Sequence, residues 1–122
     1  MADPSKWLEV LVWSKALFES TKAGIDFAAT LQKNREDGAT IRESERASQS
    51  YSSTYSDDEL DAILKRLKGC RDRFIQQGGG IDRSRCLCSV LNEMRDGNGG
   101  RIPRVDDWER IYSELKCGKV RD

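Results

Sequence analysis

The sequence contains no histidine and only two prolines in 122 residues. Histidine is the side chain that most often serves as a general base near neutral pH, and Ser-His and Cys-His nucleophile pairs both require it. Two acidic pairs, Asp57 with Asp58 and Asp106 with Asp107, stand at expected helix starts, where carboxylates complement the helix dipole. We therefore predict that the protein is not an enzyme and has no cofactor.

The four cysteines lack the spacing of a metal site. Cys86 and Cys88 are separated by one residue, whereas zinc sites usually pair cysteines two residues apart and often add histidine. On a helix, side chains two residues apart diverge by about 200°, so this pair cannot hold one ion together. We predict that these two cysteines, with Cys70 and Cys117, are reduced and pack as small apolar groups, without a metal site.

Long hydrophobic runs and nucleotide-binding motifs are also missing. The first apolar stretch, "WLEVLVW", is interrupted by Glu9, and no small-residue cleavage pattern follows it. A membrane-spanning helix needs about 20 mostly apolar residues, so we predict a cytoplasmic protein without a transmembrane segment, where reduced thiols are the default. The glycine-rich stretches at 78–80 and 97–103 lack the lysine of a phosphate-binding loop and are interpreted as helix breakers.

Charge is abundant but balanced. Charged residues make up 34% of the chain, and 21 basic residues match 21 acidic ones, so no net field attracts nucleic acid or a membrane. Residues 1–64 carry 7 basic and 12 acidic groups, whereas residues 65–122 carry 14 and 9. Attraction between the two halves within one fold explains this asymmetry, and a basic binding face in the second half is the alternative.

The hydrophobic pattern predicts an all-α protein, because apolar residues recur at helical spacing and no segment alternates as a strand does. We expect a single domain over 1–122, built as a small bundle of four principal helices. The predicted helices cover 4–32, 57–77, 82–96 and 106–117. Residues 33–56 are rich in serine, threonine and charge and are predicted to form a flexible connector, although a polar helix around 39–49 is an alternative for part of it.

The start of the second predicted helix is defined by local signals. Ser56 and Glu59 have the spacing of a capping box, in which each side chain accepts a hydrogen bond from the other residue's backbone N–H. Tyr55 and Leu60 have the spacing of a hydrophobic staple across the same helix start.

The function suggested by these features is the binding of another protein. The first predicted helix is apolar around most of its circumference, so other helices of the chain or another chain must cover it. The last third is rich in aromatic residues and arginine, which dominate interface energies. We predict a non-enzymatic binding module, such as an inhibitor, an immunity or antitoxin-like protein, or an adaptor. The candidate contact residues are Trp13, Leu17, Phe18, Arg101, Arg104, Trp108, Arg110 and Tyr112.

Each group of candidate residues has an alternative interpretation. Trp108 and Tyr112 can pack in the core, and the first helix can be the buried centre of the bundle. If Trp13, Leu17 and Phe18 face solvent instead, self-assembly into a homo-oligomer or adsorption to a membrane is the second hypothesis. Nucleic-acid binding by the arginine-rich half is a third, disfavoured by the aspartates at the start of the last helix, which repel phosphate.

Overall fold

The computed structural model describes residues 4–23, 26–51, 55–77, 81–97 and 106–117. Within these ranges every regular element is a helix, which confirms the predicted all-α class. The elements in chain order are α1 (Pro4–Ala23), α2 (Phe27–Glu36), α3 (Gly38–Tyr51), α4 (Asp57–Gln77), α5 (Ile81–Gly97) and α6 (Asp106–Glu114). The described residues thus contain six helices rather than the four principal ones expected.

The first predicted helix, over 4–32, is wrong because the chain forms two helices there. Asp26 lies within the predicted span, but its backbone is non-helical and its side chain accepts a hydrogen bond from Ala28 N at 3.1 Å. An aspartate in this geometry caps a helix N-terminus, so α2 begins as a new element at Phe27.

The predicted connector over 33–56 is also largely helical. It contains the end of α2 and all of α3, and only Asp37 separates the two helices. The Asp37 side chain accepts a hydrogen bond from Ala39 N at 2.9 Å and so begins α3. The polar helix considered around 39–49 therefore exists and extends over Gly38–Tyr51.

Helix α4 has the start and span that the sequence predicts. Glu59 N donates to Ser56 Oγ at 3.2 Å, and Ser56 N donates to a Glu59 carboxylate oxygen at 3.3 Å. Tyr55 and Leu60 are both buried, as the staple requires. The capping box is thereby confirmed.

The core is built around α1, which packs against the other five helices. Residues 10–18 of α1 are all buried, so the first helix forms the buried centre of the bundle. The apolar residues that surround it come mainly from α4, α5 and α6. The largest of them are Leu60, Leu67, Leu87, Leu91, Met94, Trp108 and Ile111.

Two disulfides connect the second half of the chain, so the prediction of four reduced thiols is wrong. Cys70 of α4 is bonded to Cys86 of α5, and Cys88 of α5 is bonded to Cys117, just after α6. The prediction of reduced thiols relied on the predicted cytoplasmic location. Tertiary packing places the Cα atoms of Cys70 and Cys86 5.7 Å apart and those of Cys88 and Cys117 5.0 Å apart. These separations lie within the range that a disulfide requires.

None of the helices, over the ranges described, is both long enough and apolar enough to cross a membrane.

Candidate partner-binding site

The aromatic and apolar candidates on α1 lie in the interior of the protein. Leu17 is fully buried, and Trp13 and Phe18 expose only 4% and 3% of their surface. The Trp13 ring lies 5.4 Å from that of Phe27 on α2, and the Arg71 guanidinium of α4 lies 5.2 Å from its centre. Self-assembly through these side chains was conditional on their facing solvent, and they do not.

The arginine and tryptophan candidates near the C-terminus are in three different situations. Arg101 and Arg104 lie outside the described residues. Trp108 is fully buried, with its ring 5.6 Å from that of Trp7. Arg110 is exposed on α6, and its guanidinium lies 5.9 Å from the centre of the Phe18 ring.

Tyr112 takes part in a hydrogen-bond network between α5 and α6. Its hydroxyl accepts a hydrogen bond from Arg95 at 2.6 Å and donates one to the Asn92 side-chain oxygen at 3.0 Å. The Asn92 amide donates in turn to the Cys117 carbonyl at 3.2 Å. This half-buried tyrosine therefore holds α6 against α5 beside the Cys88–Cys117 disulfide. The predicted candidates do not form one continuous exposed surface in the described part of the chain.

The structure instead forms a cleft between α1, α2 and α4, with a volume of about 460 Å³. Leu8 and Val12, one turn apart on α1, supply its apolar lining. Leu8 is only half-buried, whereas Val12 is 1% exposed. The residues around the cleft are Ser5, Lys6, Leu8, Glu9 and Val12 of α1, Arg35 of α2 and Asp61 of α4. This volume is within the range of about 300–1,000 Å³ that is typical of ligand sites.

Two of the charged residues at the cleft form an ion pair. Lys6 Nζ donates a hydrogen bond to Asp61 Oδ2 at 2.6 Å and so joins α1 to α4. This hydrogen bond raises the pKa of Lys6 above its usual 10.5, and the negative charges of Asp61, Asp57 and Asp58 act in the same direction. Lys6 therefore stays protonated at neutral pH, and its contact with Asp61 holds that end of the cleft.

The other two charged residues have no such partner within the described ranges. Glu9 is half-buried on α1 and Arg35 is exposed on α2, and neither forms an ion pair or a side-chain hydrogen bond with a described residue. The cleft thus combines an apolar lining with one carboxylate and one guanidinium that are available to a ligand. A second, smaller cleft of about 200 Å³ includes the ion pair Arg66–Glu93, so those two charges already neutralise each other.

Sequence reasoning missed this cleft because no local motif encodes it. Leu8, Arg35 and Asp61 come from three different helices and are brought together only by packing. The available signal was indirect: the first predicted helix is apolar around most of its circumference, and Leu8 is an apolar residue of α1 that is left half-exposed.

The described residues offer little to support metal chemistry. No group of three or more histidine, cysteine, aspartate or glutamate side chains among them could hold a metal ion. Since all four cysteines are in disulfides, none supplies a thiolate ligand to a metal ion. No protein-family model matches the chain, and no curated protein or solved structure shows detectable similarity to it.

Proposed function

We propose that the protein is a non-enzymatic module that binds another protein, as an inhibitor, an immunity or antitoxin-like protein, or an adaptor. The observation that carries this proposal is the cleft between α1, α2 and α4, where Leu8 and Val12 lie beside the charges of Glu9 and Arg35. Binding sites typically combine an apolar surface with a few polar groups that orient the ligand. The cleft has both.

The occupant that fits is a segment of a partner protein with one apolar side chain between a basic and an acidic residue. The apolar side chain would cover Leu8 and Val12, its basic neighbour would pair with Glu9, and its acidic neighbour would pair with Arg35. Such charge complementarity mainly provides specificity and a fast association rate, whereas burial of the apolar side chain provides affinity.

The two disulfides favour an oxidising compartment over the cytoplasm that the sequence predicts. Disulfides persist in secreted, periplasmic and lumenal proteins and are rare in the cytosol. We therefore propose that the module meets its partner outside the reducing cytosol, where both bonds are maintained.

The test is capture of a partner from a nuclease-treated native extract by the tagged, oxidised protein and two matched variant pairs. Leu8→Asp is compared with Ile41→Asp, because Ile41 is an exposed apolar residue on α3, 38% accessible and outside the cleft. Arg35→Glu is compared with Arg46→Glu, since both arginines are exposed and only Arg35 lines the cleft.

We expect one stoichiometric protein to bind the wild type, Ile41→Asp and Arg46→Glu, and to be lost from Leu8→Asp and Arg35→Glu. Circular dichroism establishes that all variants are folded before the comparison. Capture of no protein, or equal capture by the cleft variants and their controls, would overturn the proposal. Salt-dependent retention on an immobilised DNA duplex would support the nucleic-acid alternative instead.

A further inference from the structure

The buried side chains of α2 and α3 differ in kind from those of α4 and α5. Thr30 and Asn34 are the buried residues of α2. Over residues 38–49, the part of α3 whose burial the structure describes, the buried residues are Thr40, Ser44, Ala47 and Ser48. Only Ala47 among these is apolar, and Phe27 and Leu31 of α2 are only partly buried against the core. Because burial of apolar area is the main source of packing free energy, α2 and α3 are held in place less strongly than α4 and α5.

The connections of α2 and α3 also set them apart. Their main packing partner is α1, and they contact each other across the single residue Asp37. Both disulfides lie elsewhere: one joins α4 to α5, and the other joins α5 to Cys117 beyond α6. No covalent cross-link therefore ties α2 or α3 to the core.

Two buried polar groups oppose the docking of α2. Thr30 and Asn34 are 2% and 3% exposed, and neither Thr30 Oγ1 nor Asn34 Nδ2 has a hydrogen-bond partner in the described part of the chain. A buried polar group that makes no hydrogen bond loses its hydration without compensation. Movement of α2 away from α1 would return both groups to water.

Lys15 of α1 makes polar contacts that hold α3 and the joint between the two helices against α1. The ammonium group of Lys15, whose side chain is 8% exposed, donates to Thr40 Oγ1 at 2.9 Å and lies 3.4 Å from Asp37 Oδ2. Since Asp37 also caps α3, this lysine binds the start of that helix directly.

We propose that α2 and α3 undock from α1 together, well before the rest of the protein unfolds, and that undocking dismantles the cleft. Arg35 is the α2 residue that lines the cleft, so it leaves Leu8 and Val12 when α2 moves. The docked state binds a partner and the undocked state does not. The loss of partner binding on undocking rests on the proposed function of the cleft. Undocking itself is a property of the free chain.

Hydrogen–deuterium exchange of the free, oxidised protein, followed by mass spectrometry of peptides, tests undocking directly. We expect the amides of α2 and α3 to exchange at least about tenfold faster than those of α4 and α5, because local opening requires less free energy than global unfolding. Equal protection of all four helices would overturn the inference.

Two variants should move this exchange in opposite directions. Thr30→Val combined with Asn34→Leu removes both unpaired groups, so α2 and α3 should exchange several-fold more slowly. Thr40→Val removes an acceptor of the buried Lys15 ammonium and should accelerate exchange of α2 and α3. Gly69→Ala in α4 is the discriminating control: it stabilises the docked and the undocked state equally, so it should slow exchange of α4 and α5 and leave α2 and α3 unchanged. Equal slowing of all four helices by Gly69→Ala would show that they open together and would refute a separate unit.

The exchange measurement tests undocking whether or not a partner protein is found. Fast exchange of α2 and α3 without any captured protein would leave undocking standing and reject the proposed function. Equal exchange of all four helices, together with capture that is lost in the cleft variants, would reject undocking and support the proposed function.

Discussion

Cys86 and Cys88 lie one residue apart on α5, and their sulfur atoms bond to cysteines on opposite sides of that helix. Cys86 reaches back to Cys70 on α4, 16 residues earlier, and Cys88 reaches forward to Cys117, 29 residues later. The two side chains diverge by about 200° on a helix, so one short stretch of α5 joins both its neighbours. Helix α5 is therefore the element through which α4 and the end of the chain are cross-linked.

Removal of either disulfide should destabilise the protein, more for the longer loop. From loop-closure entropy we expect about 3 kcal/mol for Cys70→Ser with Cys86→Ser and about 3.5 kcal/mol for Cys88→Ser with Cys117→Ser. Urea unfolding followed by circular dichroism measures both losses. Unchanged free energies of unfolding in both double variants would contradict the assigned pairing.

The two disulfides should differ in their accessibility to reductant. Cys86 is half-buried, whereas Cys70, Cys88 and Cys117 are at most 1% exposed. Because exchange requires a thiolate to reach one of the sulfur atoms, limited reduction should open Cys70–Cys86 first. Alkylation after brief treatment with a dilute thiol, followed by peptide mass spectrometry, identifies the released cysteines. Earlier labelling of Cys88 and Cys117 would refute this order.

Gly69 is a site at which the protein can be stabilised. It lies exposed within α4, and a Cβ atom added there would have no heavy atom within 4 Å. Gly69→Ala should raise the free energy of unfolding by about 1 kcal/mol, since alanine has the higher helix propensity. Gly38→Ala is the matched control: it has the same open space but stands at the first residue of α3, so we expect a smaller gain. Destabilisation by Gly69→Ala would contradict the open space around this position.

Stability should decrease in acid partly through Asp37. The hydrogen bond from Ala39 N, followed by the charge of Lys15, lowers the pKa of Asp37 below its usual 3.8. A lowered folded-state pKa stabilises the protein above the unfolded-state value, and this stabilisation is lost as pH falls through the folded-state value. The side chain is 39% exposed, so we expect the contribution to be below about 1 kcal/mol.

Asp37→Asn isolates this charge, because asparagine also caps helices well. Wild type should be the more stable of the two at about pH 7, and the difference should be smaller at about pH 2, below the unfolded-state pKa of the carboxyl group. Urea unfolding at both pH values measures it. A difference of the same size in acid would mean that the carboxylate charge is not its source.

The elements predicted correctly are those whose signals are local. Helix α4 carries its capping box, its staple and its apolar stripe within one short stretch, so its start and end follow from the sequence. Helix α3 was expected as part of a connector because its sequence is rich in serine, threonine and charged residues. Thr40, Ser44, Ala47 and Ser48 do recur at helical spacing, and a pattern of small residues can also mark a packed helix face.

The sequence by itself determined the helical class, the apolar character of α1 and the absence of any histidine-based chemistry, because composition and short-range periodicity encode these properties. Only the tertiary structure decided that Trp13, Phe18 and Trp108 are core residues, which cysteines pair, and that Leu8 meets Arg35 and Asp61 at one cleft. The physical reason is that these relationships join residues far apart in the chain. Their distances are set by how the helices pack around α1, and spacing along the sequence carries no information about that packing.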